Sequence, residues 1–167
     1  YINLMGVVHG VEIFTPLLTA NADGGYIVNT ASMAGHLSAP SMSPYNATKF
    51  AVVGLSESIK QDLEKHNIGV SVLCPGFVKT DIHNTQNLRP SGSPDVSADP
   101  DMLAVTTAVE NGISAADVAD WTVESILANR FYIFTDPAMP PWIAKRGRMI
   151  AADYAATAAD PRFATKE

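Results

Sequence analysis

One cysteine, Cys74, stands in a chain of 167 residues, which excludes an intramolecular disulfide and fits a reducing, cytoplasmic setting. Placed at the end of an apolar run and before Pro75, it reads as a buried structural thiol. The four histidines, at 9, 36, 66 and 83, include no pair at the spacing of a helical metal site, so they read as surface or core residues and no metal centre is expected. Neither a Gly-x-Ser-x-Gly elbow nor a Ser-x-x-Lys pair occurs, which removes the common serine-hydrolase chemistries. There is no long basic run and the net charge is −6, which argues against nucleic acid or an anionic membrane as partner. Lys145, Arg146 and Arg148 read as a solvated helix face. The apolar stretches are short and interrupted, so neither a signal peptide nor a membrane span is expected.

The phosphate-cradling glycine patterns Gly-x-Gly-x-x-Gly and Gly-x-x-x-Gly-x-Gly are also missing. Gly6 and Gly10 lie in an apolar helical pattern and read as a site of close helix packing, whereas Gly24-Gly25 reads as a turn before a strand. What is present is an ordinary globular composition, 47% apolar and 17% charged, in a chain long enough to bury a core. No internal repeat and no second domain stands out.

Hydrophobic periodicity alternates between helix and strand. Leu4, Val7, Val8, Val11, Phe14 and Leu18 recur at helical spacing over 3–20, with Pro16 as an irregularity near the end. A buried strand is expected over 26–31. A long helix follows from about 44 to 65, with Pro44 in its first turn and Ala51, Leu55, Ile59 and Leu63 on one stripe. Asn67-Ile68-Gly69 ends it, and a second buried strand covers 70–74. Such alternation indicates an α/β fold with a parallel sheet, whose ligands bind beyond the C-terminal strand ends. From Asp81 to Gly112 the chain is rich in Pro, Ser, Gly, Asp and Asn and reads as a long loop, either functional or a loose insertion. Ser114 with Asp117 three residues on marks a helix start. That helix carries Val118, Trp121, Ile126 and Leu127; Phe131–Thr135 is a third candidate strand, and a last helix holds Trp142, Ile143, Met149 and Ile150.

Tyr45 and Lys49 are four apart and share one face of the long helix. An ammonium beside a phenol favours the phenolate and lowers a pKa that is ordinarily about 10. That suits the tyrosine to proton exchange near neutral pH. Alone, Tyr-x-x-x-Lys is a weak pattern, equally that of a solvated surface pair. Its company strengthens it. Ser32 stands thirteen residues upstream, at the C-terminal end of the strand Tyr26–Ala31, where its hydroxyl could hold a carbonyl or alcohol oxygen. Asn3 stands near the start, and Pro75-Gly76-Phe77-Val78-Lys79-Thr80 ends the next strand.

This assembly resembles the short-chain dehydrogenase/reductase family, by specific motifs over residues 1 to about 80 and by pattern alone over 113–135. The resemblance implies a doubly wound, Rossmann-like parallel sheet and a catalytic tetrad of Asn3, Ser32, Tyr45 and Lys49. It implies NAD or NADP as cofactor, held by Thr30, Tyr45, Lys49, Pro75, Gly76, Val78 and Thr80. The implied reaction is hydride exchange between nicotinamide and a small-molecule carbonyl or secondary alcohol, with the tyrosine as general acid or base and the asparagine fixing the lysine through water. Residues 84–112 would form a lid over the substrate. The helices at 3–20 and 44–65 would carry a homodimer or homotetramer contact, their outer apolar residues including Val8, Val52 and Leu55 unless these pack in the core.

The family opens with a strand and a glycine-rich turn that this sequence lacks, and the chain starts at Tyr1. The expectation is therefore the C-terminal part of one domain, short of roughly a hundred residues of nucleotide-binding half and inactive by itself. Two other readings share the motifs: an epimerase or dehydratase of the same fold, and a catalytically incompetent fragment acting through subunit association. Asn129–Phe134 differs from the Gly-rich C-terminal strand of many family ketoreductases, which leaves a lipid, steroid or aromatic alcohol as substrate.

Overall fold

In a computed structural model, described here for residues 2–82, 84 and 99–163, three parallel strands form the centre in the order β1-β2-β5. They are β1 (Gly25–Thr30), β2 (Ile68–Cys74) and β5 (Tyr132–Phe134). Between β1 and β2 runs α2 (Ser43–Glu64), the crossover helix a parallel pair requires. Before β1 lies α1 (Ile2–Thr19). After β2 come a two-residue strand β3 (Val78–Lys79), α3 (Pro100–Glu110), β4 (Ile113–Ser114) and α4 (Ala115–Leu127). Beyond β5 the chain continues as α5 (Pro140–Ala159). The fold is thus α/β with a parallel sheet, as the alternation of periods implied.

The core is built along one face of β2, where Val70, Val72 and Cys74 are buried. Val72 and Cys74 join Ala31, Met33, Val52 and Val53 in one cluster, onto which Leu4 and Val7 of α1 pack. Leu63, Ile68 and Val70 form the other, with Leu18, Ile27 and Ile59 against it. Complete burial of side chains such as Val52, Val72 and Ile133 stabilises the fold by about 1.5–3 kcal/mol each. The sheet-facing side of α2 is Val52, Val53, Ser56 and Leu63, so the stripe expected through Ala51 and Leu55 is displaced; those two are only half-buried. Ser56 hides the pattern because it is polar, yet its hydroxyl donates to the Val52 carbonyl at 2.7 Å and accepts from Asn29 Nδ2 at 3.0 Å. Val52 belongs to the core and not to an outer face, whereas Val8 and Leu55 stay half-buried.

β2 begins two residues earlier than expected, and Gly69 is a strand residue. A Cβ there would lie 2.2 Å from the Tyr26 ring, so the glycine makes room for the aromatic side chain. The reversal before β2 is carried by Asn67 at φ +56°. Gly24, at φ +76°, supports the turn reading of Gly24-Gly25. Gly6 and Gly10, by contrast, face open space, with nothing within 4 Å of an added Cβ among the described residues. They serve no close packing there.

Two further expectations change. Within the segment read as a long loop, Pro100–Glu110 is helical: Asp99 caps it by accepting from the Asp101 N–H at 2.8 Å, and Pro100 enters its first turn. The remainder of the expected lid, 85–98, lies outside the described residues. Second, α1 is long and apolar enough to cross a membrane by length and composition, although no such stretch was expected. None of its residues is fully buried, although α1 packs Leu4, Val7 and Leu18 onto the two clusters.

Candidate active site

Because the three strands are parallel, their C-terminal ends lie along one edge of the sheet. Thr30 ends β1, Pro75-Gly76 follows β2, and Thr135-Asp136 follows β5. Backbone hydrogen bonds join these turns: the Ala31 N–H donates to the Leu73 carbonyl at 2.8 Å and the Met33 N–H to the Pro75 carbonyl at 2.9 Å. The Gly76 N–H donates to Thr135 Oγ1 at 3.1 Å. A Cβ at Gly76 would come 2.9 Å from Asp136 Cβ, so this approach depends on glycine.

Ser32 leaves the sheet in extended backbone and opens a short 3-10 turn, Met33–Gly35. Its Oγ accepts the Ala34 N–H at 3.1 Å. A hydroxyl that accepts from the backbone retains its own proton, and Ser32 can donate it to a bound oxygen. Gly35 lets this turn lie against α2, since a Cβ there would meet the Lys49 carbonyl oxygen at 2.8 Å. Asn46 then ties the two together: its Nδ2 donates to the carbonyls of Ala34 at 2.9 Å and Leu37 at 2.7 Å. Tyr45 and Lys49 flank this buried residue on the first turns of α2.

The Lys49 ammonium donates to the Thr30 carbonyl at 3.2 Å and stands 5.8 Å from the centre of the Tyr45 ring. Its pKa is lowered from the ordinary lysine value, chiefly by half-burial, with Cys74 acting in the opposite direction. The Cys74 thiol is itself pushed up to about 12 by burial, so it stays neutral near pH 7 and exerts little pull. Among the described residues the Tyr45 hydroxyl has no hydrogen-bond partner, and Tyr45 is half-buried. Ser32, Tyr45, Lys49, Thr30, Pro75 and Gly76 thus gather at one end of the sheet.

The other expected residues are less engaged. Asn3 is exposed in the first turn of α1 and makes no side-chain hydrogen bond among the described residues, although Leu4 beside it packs on the core cluster of α2. Val78 lies in β3, paired in parallel with Ile113 of β4. Thr80 is exposed, with its hydroxyl 3.4 Å from the Val78 carbonyl. Sequence reasoning overlooked Asn46, Thr135 and Asp136. Asn46 lay inside the Tyr45–Lys49 motif, but its two acceptors are set by a turn folded back from β1.

Behind the site, Cys74 and His36 form a second polar contact, with His36 Nε2 3.3 Å from Cys74 Sγ. Burial lowers the His36 pKa; Glu57 opposes that shift and Arg146 adds to it. The imidazole packs edge-on against the Tyr132 and Phe134 rings.

The family model for short chain dehydrogenases matches residues 1–90. The chain belongs to that family. It is 35% identical over 166 residues to a "CLA biosynthesis dehydrogenase/reductase" of Lactiplantibacillus plantarum, covering 93% of this chain and 58% of the relative. It is 30% identical to a "C alpha-dehydrogenase" of Sphingobium sp. (strain NBRC 103272 / SYK-6), over 98% of this chain and 54% of that protein. Among solved structures it is similar to a short chain dehydrogenase/reductase from Burkholderia phymatum in complex with NAD. There the TM-score is 0.81 and the identity 42%, over 91% of this chain and 57% of the other. The chain therefore spans a little over half the length of the relatives it matches.

Proposed function

We propose that this chain carries the catalytic residues of a nicotinamide-dependent oxidoreductase that interconverts a carbonyl compound and a secondary alcohol. The observation that carries the reading is the convergence of Ser32, Tyr45 and Lys49 at the sheet end that also holds Pro75-Gly76. Membership in the short-chain dehydrogenase family and the NAD-bound structural neighbour support it.

The residues present fit the nicotinamide end of NAD or NADP. The Lys49 ammonium has three donors and spends one on Thr30, leaving two for ribose hydroxyls. Tyr45 offers a hydroxyl without a hydrogen-bond partner among the described residues, and the Pro75–Thr80 segment supplies backbone groups for a carboxamide. No glycine-rich turn for the pyrophosphate occurs in the sequence, so these residues account for one end of the cofactor only. When bound, the nicotinamide supplies a hydride to a carbonyl carbon or takes one from an alcohol carbon.

This chain's own residues handle the oxygen and its proton. In the reductive direction Ser32 donates a hydrogen bond to the carbonyl oxygen, polarising it. Tyr45 passes its hydroxyl proton to that oxygen, so a secondary alcohol and a tyrosinate result, and a solvent proton restores the phenol. Lys49 stabilises the tyrosinate electrostatically across the short gap between Nζ and ring. Asn3 connects the lysine to solvent through water. α1 with α2 carries a subunit contact.

Tyr45→Phe in the full-length protein tests the assignment. It is expected to lower kcat by at least about a thousandfold while leaving the cofactor Kd within a few-fold. Turnover retained in this variant would sink the assignment of the proton donor. Analysis of the product of the unmodified protein separates simple oxidoreduction from epimerisation or dehydration.

A further inference from the structure

A cavity of about 620 Å³ opens beside the strand ends, large enough for a small organic molecule. Met33, the residue after Ser32, lines one side. Thr135 and Asp136, which touch Gly76, line another, so the space adjoins the serine turn and the Pro75-Gly76 turn, although Ser32, Tyr45, Lys49, Pro75 and Gly76 are not themselves part of its wall. Trp121, Phe134, Met139 and Ile143 supply most of the remaining wall. The Trp121 indole N–H is already committed to the Phe134 carbonyl at 3.0 Å, so the side chain presents hydrocarbon to the space.

The charge pattern of the wall is one-sided. Among the described residues no Lys, Arg or His lines the cavity, and Asp136 is its single charged side chain. Arg130 stacks 4.7 Å over the Trp121 ring but is not part of the wall. Asp136 Oδ1 accepts the Ala138 N–H at 2.9 Å, while Oδ2 has no partner among the described residues and lies against Gly76. An anionic group entering here would leave water for an apolar space, find no cation among the described residues, and meet a carboxylate.

We infer that the cavity selects neutral, apolar ketones and secondary alcohols, and that Asp136 excludes carboxylate- or phosphate-bearing substrates. The inference rests on the proposed oxidoreductase reading, which it narrows to a substrate class. It makes Asp136 a specificity-determining residue with no part in hydride or proton transfer.

Three ketones of similar shape test it in the full-length protein: propiophenone, its 4-carboxamide and its 4-carboxylate. With NADH or NADPH, kcat/KM for the carboxylate is expected to be at least about thirtyfold below that for the carboxamide. Asp136→Asn, which keeps the shape and the bond from Ala138, is expected to shrink that ratio at least about fivefold. A second readout needs no turnover. In a Trp142→Phe background, which leaves Trp121 as the single tryptophan of this chain, propiophenone quenches the indole fluorescence at concentrations where the carboxylate does not. Equal kcat/KM for carboxylate and carboxamide, or a ratio unmoved by Asp136→Asn, overturns the inference and leaves the hydride-transfer reading intact. Selective quenching without oxidation of either cofactor upholds the cavity's selectivity and overturns the reaction assigned to it. No quenching by any of the three ketones, together with no turnover, overturns both.

Discussion

Replacing Asn46 separates its hydrogen bonding from its bulk. The side chain is 6% exposed, and its amide donates to two carbonyls, those of Ala34 and Leu37, at 2.9 and 2.7 Å. Its Oδ1 is buried without a partner among the described residues. Asn46→Ala removes two hydrogen bonds worth about 1 kcal/mol each and strands two carbonyls, while relieving the unpaired Oδ1. The net expectation is a loss of about 2 kcal/mol. Asn46→Asp keeps the size but sets a carboxylate against two carbonyl oxygens, where nothing on either side can donate. That variant should lose roughly 3 kcal/mol or more near pH 7. Acidification should partly restore it, because the neutral acid can donate once. Urea denaturation of the full-length protein gives the comparison. With a slope of about 2 kcal/mol/M, the alanine variant moves the midpoint by about 1 M and the aspartate variant by more. An aspartate variant as stable as the parent would refute the donor role and leave Asn46 as a space-filling residue. Because the Ala34 turn carries Ser32, kcat should fall in both variants below what their folded fraction accounts for.

Gly69→Ala is expected to cost about 1–3 kcal/mol, because the new methyl would overlap the Tyr26 ring. The Tyr26 hydroxyl is held 2.7 Å from Ser71 Oγ, which restrains the ring; in a Tyr26→Ala background, Gly69→Ala should therefore cost little further stability, read by thermal unfolding. Cys74 should resist Ellman's reagent at pH 8 until the protein unfolds, since it is fully buried and its thiol is pushed up to about 12; prompt stoichiometric labelling of the native protein would contradict this. His36 introduces acid sensitivity. Its folded pKa lies below the ordinary 6.5, so as pH falls below that value the unfolded chain takes up a proton first and stability declines. Its urea midpoint should be lower at pH 5.5 than at pH 7.5, and His36→Gln should flatten the difference.

The elements that sequence placed well are those whose pattern is local and long. The helices at 2–19 and 43–64 show several helical turns of apolar residues, and the strands at 25–30 and 68–74 are short, mainly apolar stretches bounded by turn residues. Ser114 capping α4 was legible for the same reason: its hydroxyl accepts the Asp117 N–H at 3.0 Å, three residues away. The helix at 100–110 was obscured although Asp99-Pro100 is a sound start signal, because the Pro- and Ser-rich stretch before it dominates any window. β3 and β4 are two residues each and pair across more than thirty positions, so neither has a period to detect. Gly6 and Gly10 misled because a glycine repeat on a helix signals close packing only when another backbone arrives, and none does among the described residues.

The candidate site divides along the same physical line. Tyr45 and Lys49 were legible as a pair because helix geometry alone sets their proximity. Ser32 and Pro75-Gly76 were legible as neighbours because adjacent parallel strands end together, and the Met33–Pro75 hydrogen bond is the direct expression of that rule. Asp136 obeys the rule too, since β5 is the third strand to end at this edge. It escaped notice because a lone aspartate before a proline reads as a turn residue, and here it is one: the bond from Ala138 is that turn. The turn fixes one carboxylate oxygen and leaves the other beside Gly76, on a residue that lines the apolar cavity. A residue with an adequate local explanation can thus still set the charge of a site, and only the convergence of three strand ends brings that charge to bear on a ligand.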